Sequence, residues 1–433
     1  MGVDSQKINR IMLFVLLAFL WSTSPGFGQR TKQLTKNPAK SDSVKILRKK
    51  YRAKKTWEQL VSLPGTLVSL PLVLFFKVNE ELVGYTYEHK LVPRALDFLT
   101  SDDGEWGLRP RYTTRSGYGI KLFRKGLISE QSNLNLTLTG TTHGRQSYRL
   151  WFKNVDFLKG VLFGEGLIRY RKLLGENFYG IGNDTPTSNR SNYDHKLITS
   201  EITLGVRPSK AFALSIAAGY DYNKILEGSN NDSPPTQEKF GESNLPGLRE
   251  KVKVFRYQLG LHLDTRNRPG NPSSGNESLL TGTLFKQKDG DRFDFWKISA
   301  DIRQYIHLFH NRLLVLRLAS EITEPFANKE IPFYYLSTLG LHDSIRGYRR
   351  GRFYDRDFLI TTLEYRIPFW YSVDTVLFVD AGQVASDILH DFKLNKFQFG
   401  YGLGFRLWSE EGFVASIELG LSDEKVRISL KVE

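Results

Sequence analysis

His342-Asp343-Ser344 supplies the three residue types of a hydrolase. A nucleophile, its base and the orienting carboxylate must converge from separate elements, and three chain neighbours do not do so. Gly270 to Gly275, GNPSSG, lacks the strand-turn-helix setting of a nucleophile elbow and reads as a turn. Gly400, Gly402 and Gly404 fall on one face of a strand, where they thin a wall or permit curvature; a phosphate cradle would need a helix after them. The eight histidines show no ligand spacing, and the absence of cysteine excludes thiolate metal sites, disulfides and a lipoprotein anchor. No catalytic residue, metal or cofactor is expected, so the chain reads as a non-enzyme.

The elements that carry these residues point elsewhere. Lys7 and Arg10 precede an apolar run, Ile11 to Trp21, followed by small residues through Gly28. That run has a signal-peptide length and falls short of the ~20 residues of a spanning helix. Residues 1–29 are therefore expected to be a signal peptide. Net charge is +15, and eleven Lys/Arg between Arg30 and Lys55 face a single Asp42. An exported chain has no nucleic-acid partner, so this segment reads as a solvated basic tail, with anionic head groups or an acidic partner as the alternative. Residues 57–83 are apolar but broken by Pro64, Gly65 and Pro71, which suits short interfacial helices rather than one span. Residues 30–104 together are expected to form a periplasmic basic tail with an amphipathic helical segment.

From Glu105 onward the period becomes two. Phe397, Phe399, Tyr401, Leu403, Phe405 and Leu407 alternate with Gln398, Gly400, Gly402, Gly404 and Arg406, and Tyr257, Leu259, Leu261 and Leu263 with Arg256, Gln258, Gly260 and His262. One face suits lipid and the other water. The expected strands are 105–113, 116–124, 131–141, 145–154, 161–173, 194–207, 211–224, 251–265, 276–288, 292–308, 311–324, 356–368, 371–383, 394–408, 412–421 and 424–432. The long connections 174–193, 225–250 and 325–355 all follow odd-numbered strands, hence one rim. A soluble sandwich would rarely keep Lys, Arg, Asp and Gln on the second face of so many strands. The fold class is all-β: a transmembrane antiparallel barrel of about sixteen strands over 105–433, after a short helical or disordered extension, in the outer membrane with a periplasmic N-terminus.

Ile345-Arg346-Gly347-Tyr348 resembles the VRGF/Y signature of the BamA/TamA-like superfamily of outer-membrane barrels. Leu363 to Pro368 resembles its E-x-R-x-P strand, Leu377 to Gly382 its F-x-D-x-G strand, Asp264-Thr265-Arg266 with Pro269, Pro272 and Gly275 its D-x-R turn, and Asn177 to Asn183 its FYGxGN segment. With few residues between the expected cleavage site and the first strand, a POTRA-less form is expected. The resemblance implies that the long loop folds into the lumen, with Arg346 on Glu364 and Asp380 and with Arg366 among the lumen partners. It also implies a weak lateral seam between the first strand and the last, the latter presenting Val426, Ile428, Leu430 and Val432. The docked loop would keep the barrel rigid opposite that seam. Implied partners are outer-membrane lipids or lipopolysaccharide, client outer-membrane or secreted proteins, and a periplasmic chaperone or POTRA-like partner. The implied function is insertion, assembly or export of proteins; the alternative is a passive pore or translocator.

Overall fold

A computed structural model describes residues 98–113, 117–241, 245–340, 344–370, 373–409 and 412–432. The expected signal peptide and nearly all of the expected tail and helical segment, to residue 97, lie outside the described residues. Thr100 to Gly104 form a polar turn: Gly104 N–H donates to the Ser101 carbonyl at 2.8 Å, and Thr100 bridges to Gly107.

The alternating segments become antiparallel strands. The first eight are β1 (Trp106–Thr113), β2 (Gly117–Lys125), β3 (Asn133–Gly140), β4 (Gln146–Phe157), β5 (Leu162–Phe178), β6 (Ser191–Ser209), β7 (Phe212–Glu227) and β8 (Lys251–Asp264). There follow β9 (Gly275–Gln287), β10 (Phe295–His307), β11 (Leu313–Pro325), a small hairpin of β12 (Ser337–Leu339) and β13 (Phe353–Asp355), then β14 (Asp357–Trp370), β15 (Val373–Ala385), β16 (Gln398–Ser409), β17 (Gly412–Leu421) and β18 (Val426–Val432). All but β12 and β13 join one sheet in chain order that returns on itself as a sixteen-strand barrel. The β12/β13 hairpin, absent from the sequence reading, lies within the connection between β11 and β14. Two strands run longer than their periodicity suggested. β5 continues to Phe178 and β6 starts at Ser191, because the register shift between Leu173 and Glu176, beside Gly175 at φ 59°, hides the continuation from a strict period of two.

The faces sort by chemistry. Ile202, Ile216, Leu259 and Ile428 stand outward and exposed, 59–68%. In the intervening positions Arg256 meets Glu201 at 3.0 Å and Asp221 at 3.1 Å, and Asp301 meets Arg317 at 2.8 Å and Arg303 at 3.0 Å. Among the described residues no helix is long and apolar enough to cross a membrane.

The three long connections, on one rim, fold inward over the lumen. Phe178 and Tyr193 at the ends of β5 and β6 meet Phe333 edge-on, with ring centroids 5.6 and 5.0 Å apart, and Leu245, Leu248, Phe293 and Phe295 complete an apolar plug. Phe333 is fully buried there. Phe333→Ala is expected to cost about 3–5 kcal/mol by opening a cavity in the plug, read as a lower urea midpoint for the protein folded in lipid vesicles.

Candidate functional site

The connection between β11 and β14 sends residues 344–351 deep into the lumen, and Arg346 is its anchor. Its Nε and Nη2 each donate to Asp380 at 2.7 Å, its backbone N–H donates to the same carboxylate at 3.0 Å, and Nη1 donates to Glu364 at 2.8 Å. Glu418 stands 3.6 Å from Nη1, and the guanidinium lies 3.5 Å from the centroid of the Phe378 ring. The carboxylates are shared. Arg366 donates to Glu364 at 2.9 Å, and Arg406 bridges Glu364 at 2.8 Å and Glu418 at 2.6 Å. Thr362 donates to Asp380 at 2.9 Å. Three guanidiniums (Arg346, Arg366, Arg406) thus face three carboxylates (Asp380, Glu364, Glu418), a composition of net charge zero. Bidentate geometry and saturated lone pairs offset the desolvation cost of such a cluster.

Missing side chains make room for the loop. A Cβ on Gly400 would lie 1.9 Å from the Arg346 carbonyl oxygen, one on Gly420 would lie 2.6 Å from the Gly347 nitrogen, and one on Gly382 would lie 2.8 Å from Ile345 Cδ1. These glycines of β15, β16 and β17 form a thin strip of wall that the backbone of the tip can touch. Gly347 has φ 99°, a conformation that an L side chain resists, and Ser422 Oγ donates to its carbonyl at 3.2 Å. Ile345 and Tyr348 flank the anchor, 0% and 1% exposed. Tyr348 donates to Gln398 at 3.2 Å and to Asp423; burial first, and then that carboxylate, hold its phenol above the ordinary range. Arg352 closes the loop onto Glu424 and donates to Thr185 Oγ1 at 2.8 Å, and Gly182 N–H donates to the Tyr354 carbonyl at 2.7 Å. Segment 177–183 therefore meets the same loop.

The structure places the residues singled out in the sequence as follows. Ile345, Arg346, Gly347, Tyr348, Glu364 and Asp380 come together. Arg366 faces the lumen and donates to Glu364, the carboxylate that also accepts from Arg346. The anchorage does not lie opposite the seam: it sits on β14 to β17, the strands next to β18, since those strands hold the glycine strip and the carboxylates. Arg406, Glu418 and Thr362 were not singled out. Alternation puts all three on the inner face, but which inner residues converge depends on register: Glu364↔Phe378, Thr362↔Asp380 and Gly404↔Glu418. Asp264 and Arg266 pair at 2.7 Å, and Arg266 lines a lumen cavity together with Arg346, Glu364 and Asp380. Residues 341–343 lie outside the described residues; Ser344 Oγ accepts from the Gly340 N–H at 2.7 Å. Val426, Ile428 and Leu430 project outward from β18, 59%, 68% and 39% exposed. Val432 pairs with Tyr112 of β1.

The family model described as the Omp85 superfamily domain matches residues 115–412. Among solved structures, BamA from Haemophilus ducreyi lacking POTRA domains 1-3 matches with a TM-score of 0.55 and 18% identity, over 75% of this chain and 69% of that one. CdiB from Acinetobacter baumannii matches with a TM-score of 0.45 and 15% identity over 76% of this chain and 59% of that one. CdiB from Escherichia coli gives 0.49 and 13% over 75% and 62%. This chain spans less than two thirds of the CdiB chains.

Two substitutions probe the anchor. Arg346→Ala leaves Asp380, which is 0% exposed, as an unpaired buried charge and is expected to cost about 3–5 kcal/mol; adding Asp380→Asn should recover part of that loss, as heat-modifiable migration and urea unfolding in vesicles would record. Gly400→Val is expected to expel the loop tip while the barrel persists, seen as new protease cleavage within 344–352.

Proposed function

The chain belongs to the Omp85 superfamily, and from that premise we propose that this outer-membrane barrel assists the insertion of client β-strands through the junction of β1 and β18. One observation carries the reading. Among the described residues β1 and β18 are paired at Tyr112↔Val432 and Thr113↔Lys431 alone, whereas β17 and β18 are matched along seven residues. Among the described residues Val426 to Leu430 therefore have no partner on β1, and Trp106 to Arg111 have none on β18. In hydrocarbon each unmatched backbone N–H or C=O costs several kcal/mol. A strand from a client would satisfy those groups by adding to the free edge, which turns a local defect into a driving force for pairing.

The anchored loop supports this reading. It ties β14 to β17 together directly beside the free edge, so opening at the seam need not loosen the neighbouring wall. In the same reading the short turns, and with them the N-terminal segment, face the periplasm, and the long connections face outward. Partners are then unfolded outer-membrane or secreted chains, delivered by a chaperone or by POTRA-like modules. The plug and the loop fill much of the lumen and speak against a freely conducting pore.

A disulfide lock tests the reading. The chain has no cysteine of its own, so Tyr112→Cys with Val432→Cys places a single pair at the seam. The unlocked protein in lipid vesicles is expected to speed the folding of a client barrel; oxidation should abolish the effect and reduction restore it. Undiminished acceleration in the locked form, or large steady conductance in planar bilayers without any acceleration, would overturn it.

A further inference from the structure

A second feature of the seam is its charge. Strands β18, β1 and β2 carry Arg and Lys but no Asp or Glu. Behind the unpaired part of β18 lies a cavity of about 420 Å³ between that strand and the loop tip. Arg145, Arg346, Arg349, Arg350 and Arg427 line it, against two carboxylates, Glu176 and Glu418. Both carboxylates have cations close by: Glu176 meets Arg145 at 3.1 Å, and Glu418 meets Arg406 at 2.6 Å. Arg346 is balanced by Asp380 and Glu364, so it is Arg349 and Arg427 that give the cavity its surplus positive charge. Arg427 Nε is buried there without a hydrogen-bond partner among the described residues.

The lining is also two-faced. Arg427 and Ser429 face inward, while Val426 and Ile428 line the same cavity from the membrane side of β18. Among the described residues β1 leaves this stretch uncovered, so the cavity lies at a strand edge. We propose that it binds the phosphate-bearing head group of an anionic lipid, with the acyl chains lying along Val426, Ile428 and Leu430. An amphiphile suits a cavity that is cationic within and apolar at its opening; an acidic polypeptide would leave the apolar side unmatched. Guanidiniums suit the ligand because they bind phosphate oxygens through paired, charge-assisted hydrogen bonds. The chain's own basic segment, Arg30 to Lys55, carries the wrong sign to occupy the site. The inference rests on the geometry of the seam and does not require insertase activity.

Native mass spectrometry of the full chain in neutral detergent tests it, with phosphatidylglycerol, phosphatidylcholine, inorganic phosphate or an oligoglutamate peptide added separately. Phosphatidylglycerol should be retained and phosphatidylcholine not. Arg349→Gln with Arg427→Gln should weaken retention roughly tenfold, while Arg349→Lys with Arg427→Lys keeps most of it. Heat-modifiable migration identifies variants that have folded. Equal retention by the Gln variant, equal binding of phosphatidylcholine, inorganic phosphate binding as tightly as the lipid, or tighter binding of oligoglutamate would each overturn the proposal.

Discussion

Water is absent from the hydrocarbon layer, so a backbone N–H or C=O inside it must find its partner within the protein, and the architecture of this chain answers to that demand. Fifteen of the sixteen strand junctions satisfy it by long antiparallel pairing. At the sixteenth, between β1 and β18, the described residues of the two strands pair only at the ends of their ranges. A defect of this kind would be a hazard in an ordinary barrel. Here the junction lies next to β14 to β17, the strands on which the loop tip is anchored.

That bracing is a problem in electrostatics. A single arginine carried into a barrel would be strongly disfavoured, and so would each carboxylate awaiting it. The site avoids both costs by numbers and geometry: three guanidiniums and three carboxylates share hydrogen bonds, and Phe378 offers its ring face beneath Arg346. Such a cluster is more specific than it is stabilising, since any displacement of the loop strands charge of one sign. The glycine strip has the complementary role. Gly382, Gly400 and Gly420 contribute no contact of their own, and their missing Cβ atoms let the loop backbone approach near enough for the bonds of Arg346 to close. The same tip then forms one wall of the cationic cavity behind β18, so loop position, seam and cavity are mechanically linked.

The sequence by itself determined the class of fold, the number of barrel strands and the inner or outer assignment of most residues. All three follow from a period of two read against a lipid and a lumen, which is a local property. It also marked Arg346, Glu364 and Asp380, through a resemblance in short motifs. Tertiary structure alone decided that Arg406 and Glu418 complete the cluster, that Arg366 serves Glu364 rather than the loop, that the anchorage borders the seam instead of opposing it, and that β1 and β18 overlap so little. Each of these depends on register and shear around a ring, and on how far a long connection reaches before it turns. Alternation tells a residue which way to face; only pairing between strands distant in sequence tells it whom it meets.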